Sequence, residues 1–139
     1  MRNDLIKAKA SLSEGHACAV CRDGETVYAD GRGIAPLLSL VSGPGGLEGY
    51  TAADRVIGSA AAYILVEAKV REAYAVTMSE GAVRIFADHG VVASYQKLTA
   101  FIRNRAGDGL CPMEERALGM DSPEGACAIF RARLAELKK

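Results

Sequence analysis

The stretch that decides the fold is Ala73-Tyr74-Ala75-Val76-Thr77-Met78, followed by Ser79-Glu80-Gly81 and, ten residues on, by Val91-Val92-Ala93-Ser94-Tyr95. The first run carries no charge and is rich in β-formers, the composition of a strand covered on both faces. Ser79-Glu80-Gly81 breaks it, Ala82, Val83 and Phe86 pattern a helix, Gly90 stops that helix, and Val91–Tyr95 resumes strand character. Strand, helix and strand so spaced predict a βαβ unit with parallel pairing. Its right-handed crossover packs the helix onto the sheet, so helices are expected on both sheet faces.

Upstream, Cys18–Cys21, Asp23-Gly24 and Glu25–Ala29 read as a β-hairpin, because Asp-Gly suits the two positive-φ positions of a type I′ turn. A helix from Asp4 to Ser13 precedes it. Pro36 opens a short helix with Leu37, Leu38, Leu40 and Val41 as its apolar face, and Gly43-Pro44-Gly45-Gly46 is expected to be a mobile loop between helices. Thr51 and Asp54 form a capping-box-like start, and Val56, Ile57, Ala60, Ala61, Ile64 and Leu65 recur at helical spacing, so one central buried helix is expected from Thr51 onward. Leu98, Phe101 and Ile102 suit a helical turn. Residues 104–109 read as loop, Pro112 opens a short helix ended by Gly119, and Ser122-Pro123 opens a last helix with Ala126, Cys127, Phe130, Leu134 and Leu137 inside.

With 139 residues and half of them hydrophobic, the chain is expected to form one domain (1–139) whose core needs no disulfide or structural metal. Seventeen basic residues balance seventeen acidic ones, which argues against a partner coated through its phosphates, and no Trp with three Phe and five Tyr leaves few rings for single-strand stacking. The expected partners therefore exclude nucleic acid. The longest weakly polar run, Val56–Val66, falls short of the roughly 18 residues that span a bilayer, and the charged start lacks a signal peptide's apolar stretch. Four cysteines without a secretory segment suit reduced thiols, so a soluble cytoplasmic protein is expected.

Three stretches, Thr51–Gly58, Asn104–Glu114 and Gly33–Leu38, resemble a small prokaryotic family, domain of unknown function 1893, and the order of elements resembles the cytidine-deaminase-like superfamily. The resemblance covers nearly the whole chain and implies a three-layer α/β/α fold, cytidine-deaminase-like, with a mixed sheet and an N-terminal β-hairpin. It implies no activity. Zinc deaminases carry His (or Cys)-x-Glu at the start of one helix and Pro-Cys-x-x-Cys at the next, three ligands holding the metal while the Glu moves protons. Where those motifs belong stand Ala53-Asp54-Arg55-Val56 and Ser79-Glu80-Gly81-Ala82-Val83, with no His or Cys among them. Conventional zinc deamination is not expected, and neither metal nor cofactor is.

Among single residues, Asp54 is open between a helix-start carboxylate favoured by the macrodipole and a functional one that accepts a hydrogen bond from a ligand or ligates a cation, with Arg55 supplying charge. Ser79 and Glu80 stand where a central strand ends and a helix begins, the place where ligands gather in open α/β sheets, and Ser79 suits a helix cap equally. Cys111 precedes Pro112 at a helix N-terminus, where a thiolate is stabilised; the other reading is a small buried hydrophobe. Glu114 reads as a capping carboxylate, Asn104 and Arg105 as props of a glycine-rich turn, or all three as ligand contacts. Cys18 and Cys21, three apart on a strand, should point to opposite faces, with His16 nearby too little to make a metal set. Cys127 belongs in the core.

The expectation is a homo-oligomeric, most simply homodimeric, protein that binds a small polar molecule or nucleotide derivative in a cleft. The cleft residues would be Asp54, Ser79, Glu80 and the 104–114 segment, with Arg55 in support. Two alternatives stand beside it: a non-zinc enzyme with Cys111 as nucleophile and Asp54 or Glu80 as proton carrier, and a structural interaction module.

Overall fold

The computed structural model describes residues 2–103, 106–107 and 109–137. Asn104 and Arg105 lie outside the described residues. Chain order is α1 (Arg2–Ser13), β1 (Cys18–Arg22), β2 (Glu25–Ala29), α2 (Ala35–Leu40), β3 (Thr51–Ile57), α3 (Ser59–Glu67), β4 (Glu72–Ser79), α4 (Glu80–Asp88), β5 (Val92–Thr99), α5 (Pro112–Ala117) and α6 (Ala126–Leu137).

The sheet is mixed, in the order β2-β1-β3-β4-β5. Asp23 and Gly24 both take positive φ, 52° and 83°, and close the expected two-residue hairpin with Arg22 opposite Glu25. The βαβ unit is present: β4 pairs β5 in parallel, with α4 between them in the chain. β3 pairs β4 in the same way. Each crossover advances one place in one direction, so α3 and α4 cover the same face of the sheet.

On that face the main core joins Cys18, Val20, Ala52, Ile57, Ala73, Ala75 and Met78 of the strands to residues from α2 through α6. Six consecutive residues of α3, Ala60–Leu65, are buried, as befits a helix apolar all round and enclosed by α4, α5 and α6. The opposite face carries α1, whose Ala8 and Leu12 pack on Ala19, Cys21, Ala53 and Tyr74. Cys18 and Cys21 accordingly lie in separate cores on opposite faces. Asp4 fastens α1 to the hairpin, accepting from Gly24 N at 2.9 Å and Asp23 N at 3.2 Å.

Four expectations are corrected. Thr51–Ile57 is not the start of a helix but the central strand β3, antiparallel to β1 and parallel to β4. Helix propensity separates Ala from strand formers by well under 1 kcal/mol per residue, and two flanking ladders plus burial of Thr51, Ala52 and Ala53 outweigh it. The helix begins only at Ser59, after Gly58. Leu98 lies in β5 rather than in a helical turn, and residues 101 and 102 are not helical. Gly43–Gly46 joins a helix to a strand, pinned by Gly45 N donating to Glu67 O and Leu47 N to Ala68 O. The last helix starts at Ala126, not at Ser122-Pro123, because Gly125 turns the chain at φ 78° first.

Candidate functional site

A cavity of about 400 Å³ opens at the C-terminal ends of β3, β4 and β5, where α3 and α4 begin. Its polar lining comes from Ser59, Tyr63, Ser79, Glu80, Arg84 and Glu114; Ile85, Phe101, Leu110 and Leu118 form the apolar part. Crossover geometry explains the placement. Two helices that follow adjacent parallel strands present their N-termini at one sheet end, with N–H groups that lack intrahelical acceptors.

The α3 N-terminus is already satisfied, by a residue of another helix. Glu114 Oε1 accepts from Ser59 N at 2.8 Å and Oε2 from Ala60 N at 2.9 Å. Gly58 allows this approach, since a Cβ there would lie 2.4 Å from Glu114 Oε1. Burial pushes the Glu114 carboxyl above its ordinary range, against the two amide bonds that favour the carboxylate. At the α4 start the Ser79 hydroxyl accepts from Ala82 N at 3.1 Å, the cap role that was one of its two readings. Ser59 Oγ stands directly over Gly81, 2.4 Å from where a Cβ would be, so the two helix starts abut. Tyr63 donates to Met120 O at 3.0 Å, and burial pushes its phenol up. Arg84 forms no ion pair among the described residues.

Of the residues singled out in the sequence, Ser79, Glu80 and Glu114 meet at this cavity. Asp54 and Arg55 do not line it. Asp54 faces Cys18 across β1 and β3, and its Oδ1 accepts from Arg55 N at 2.7 Å. Burial lifts its carboxyl to about 7, partly opposed by the Arg55 and Val56 amides and the Arg55 charge. The Cys18 thiol is pushed to about 12 by burial, then by Asp54 and Asp30. The Arg55 guanidinium turns to the other face and donates to Leu12 O of α1 at 2.9 Å. Asp54 is therefore a strand carboxylate, not a helix-start one, and the macrodipole reading falls away.

Cys111 does precede Pro112 at the head of α5, partly buried against the main core, but it does not line the cavity. Its N–H donates to Ile102 O, beside a bridge between Arg103 and Leu110. His16 is held by Asp30, Nδ1 to Oδ1 2.9 Å, and stacks on Tyr28. Cys127 is buried, as expected. Among the described residues, no three His, Cys, Asp or Glu side chains are grouped to hold a metal ion. No helix among them is long and apolar enough to cross a membrane.

Ser59 and Arg84 escaped the sequence reading. Gly58-Ser59 ahead of an apolar run is a helix-start signal, but it was masked by the apparent helix start at Thr51. Arg84 carries no local signal beyond lying one turn beyond Glu80.

The family model "TM1506: Domain of unknown function (DUF1893)" matches residues 7–134. The chain therefore belongs to the DUF1893 family. It is similar to the crystal structure of a DUF1893 family protein (TM1506) from Thermotoga maritima, with 25% sequence identity, a TM-score of 0.81, and coverage of 96% of this chain and 91% of that one. No curated protein matches it.

Proposed function

We propose that this DUF1893 protein binds a small polar ligand of the nucleoside or nucleotide class in the cavity between the starts of α3 and α4. The observation that carries the reading is the two-sided lining of that cavity. Phe101, Leu110 and Leu118 offer an apolar wall for a flat ring, while Ser59, Arg84 and the first turn of α4 offer donors to a hydroxyl or phosphate. A volume of about 400 Å³ suits a ligand of that size.

With this goes a cytidine-deaminase-like classification, supported by a hairpin leading into parallel β-α-β crossovers in the order β2-β1-β3-β4-β5. The ligand reading does not depend on it. None of α2, α3 and α4 begins with a His or Cys, so the residues at the helix starts do not fit a zinc ion. No metal step is assigned.

Thermal shift with nucleosides and with mono-, di- and triphosphates tests the proposal. A ligand at a hundred times its Kd adds about 2.7 kcal/mol, a rise of roughly 8 °C for a domain of this size. Arg84→Ala should cut the rise for phosphorylated ligands, and Asp54→Ala should leave it unchanged. Absence of any shift at millimolar ligand in the unaltered protein refutes it.

A further inference from the structure

β5 is an edge strand. It pairs β4 on one side, and among the described residues no strand pairs its other side. Its eight residues expose about 26 Å of hydrogen-bonding backbone. Edge strands are normally blunted by brevity, charge, proline or a cover, yet this one has no proline and one charged residue, Lys97. Its large apolar residues are exposed: Val92 60%, Tyr95 40%, Leu98 44%, and Phe101 just beyond it 56%. The opposite edge, β2, is only five residues long and begins with Glu25.

We propose that β5 pairs antiparallel with β5 of a second copy of this chain, about a two-fold axis at Tyr95, joining two five-stranded sheets into one of ten strands. The identity of the partner follows from the spacing. Val92 lies three residues before Tyr95 and Leu98 three after, so a two-fold axis there sets Tyr95 against Tyr95 and brings Val92 of each copy level with Leu98 of the other. Lys97 then falls opposite Ala93, so like charges do not meet. An axis at Gln96 would set Tyr95 against Lys97, and one at Ser94 would leave Leu98 opposite Gly90. Of these three axes, only the one at Tyr95 sets Val92, Tyr95 and Leu98 against one another. Balanced net charge adds no repulsion between copies. The dimer stands independently of what the cavity binds.

Sedimentation equilibrium of the full chain from micromolar to submillimolar concentration is the test. A species of twice 14.6 kDa is expected. Leu98→Lys and Val92→Lys, both at exposed positions, should each weaken the dimer at least about tenfold while the circular dichroism spectrum stays unchanged. In a Cys111→Ser background, Tyr95→Cys should cross-link the dimer on mild oxidation, and Val27→Cys on the β2 edge should not. A monomer throughout the range overturns the proposal and leaves the edge to a strand of another chain. A dimer indifferent to both lysine substitutions, or cross-linked through Val27→Cys instead, overturns it equally.

Discussion

Asp54→Asn should stabilise the protein increasingly as the pH rises. In the folded chain the carboxyl titrates at about 7, against an ordinary value of 3.8, because burial disfavours its charge. Folding therefore favours the protonated form: the stability tied to this group is fully present below pH 3.8 and is lost as the pH rises through 7. With those two values, ionisation in the unfolded chain costs the folded state about 1.7 kcal/mol at pH 5 and about 4 kcal/mol at pH 8. Discounting the partial exposure of the side chain, the stability of Asp54→Asn relative to the parent should rise by about 2 kcal/mol between those pH values. The amide keeps an oxygen to accept from Arg55 N and carries no charge to desolvate. Urea unfolding of both proteins at half-unit pH intervals measures the difference directly. Cys18, opposite Asp54 on β1, titrates far outside the window. A difference that stays flat from pH 5 to 8 would show that the carboxyl is already ionised in the folded protein and would refute the burial argument.

Glu114→Ala removes both acceptors from the first turn of α3 and should cost about 2–3 kcal/mol, read as a Tm lower by roughly 8 °C; Gly58→Ala, which drives a methyl into that carboxylate, should cost a similar amount, and the two losses should not add. Asp4→Ala should release α1 from the hairpin turn, lowering stability by about 2 kcal/mol and accelerating amide exchange at Asp23 and Gly24. Because hydrogen bonds hold the Asp4 carboxyl below 3.8, its contribution is present above that pH and is lost in more acidic solution, so parent and variant should converge in acid. Iodoacetamide should modify Cys111 of the native protein and leave Cys18, Cys21 and Cys127 unmodified until denaturant is added; early labelling of Cys18 would contradict its burial.

The hairpin and the β4-α4-β5 unit were legible because their signals are local. Asp23-Gly24 states its own φ requirement, and Ala73–Met78 is too apolar and too short for anything but a covered strand. Thr51–Ile57 was illegible for the opposite reason. Its alanines, its capping-like Thr51 and Asp54, and the apolar run behind it satisfy a helical pattern, and nothing within the segment says that strands will flank it on both sides. That error put Asp54 into the expected cleft, from which its place in β3 removes it, and hid Ser59. The cleft was foreseen only in part: Ser79 and Glu80 follow from their place at the end of a strand, whereas Arg84 becomes a lining residue only once α4 is set on the sheet.

By itself the sequence determined those elements whose turn chemistry and periodicity lie within a few residues: the hairpin, the parallel crossover, the short helices at Pro36 and Pro112 and the opposite facing of Cys18 and Cys21. Tertiary structure alone decided how the starts of α3 and α6 are satisfied. Glu114 caps α3 from 54 and 55 residues away, and Glu67 caps α6, accepting from Gly125 N at 2.5 Å and from Cys127 N, 60 residues on, at 2.8 Å. A carboxylate so distant leaves no spacing to read. Its role exists because buried N–H groups must find acceptors, and only packing determines which acceptor arrives.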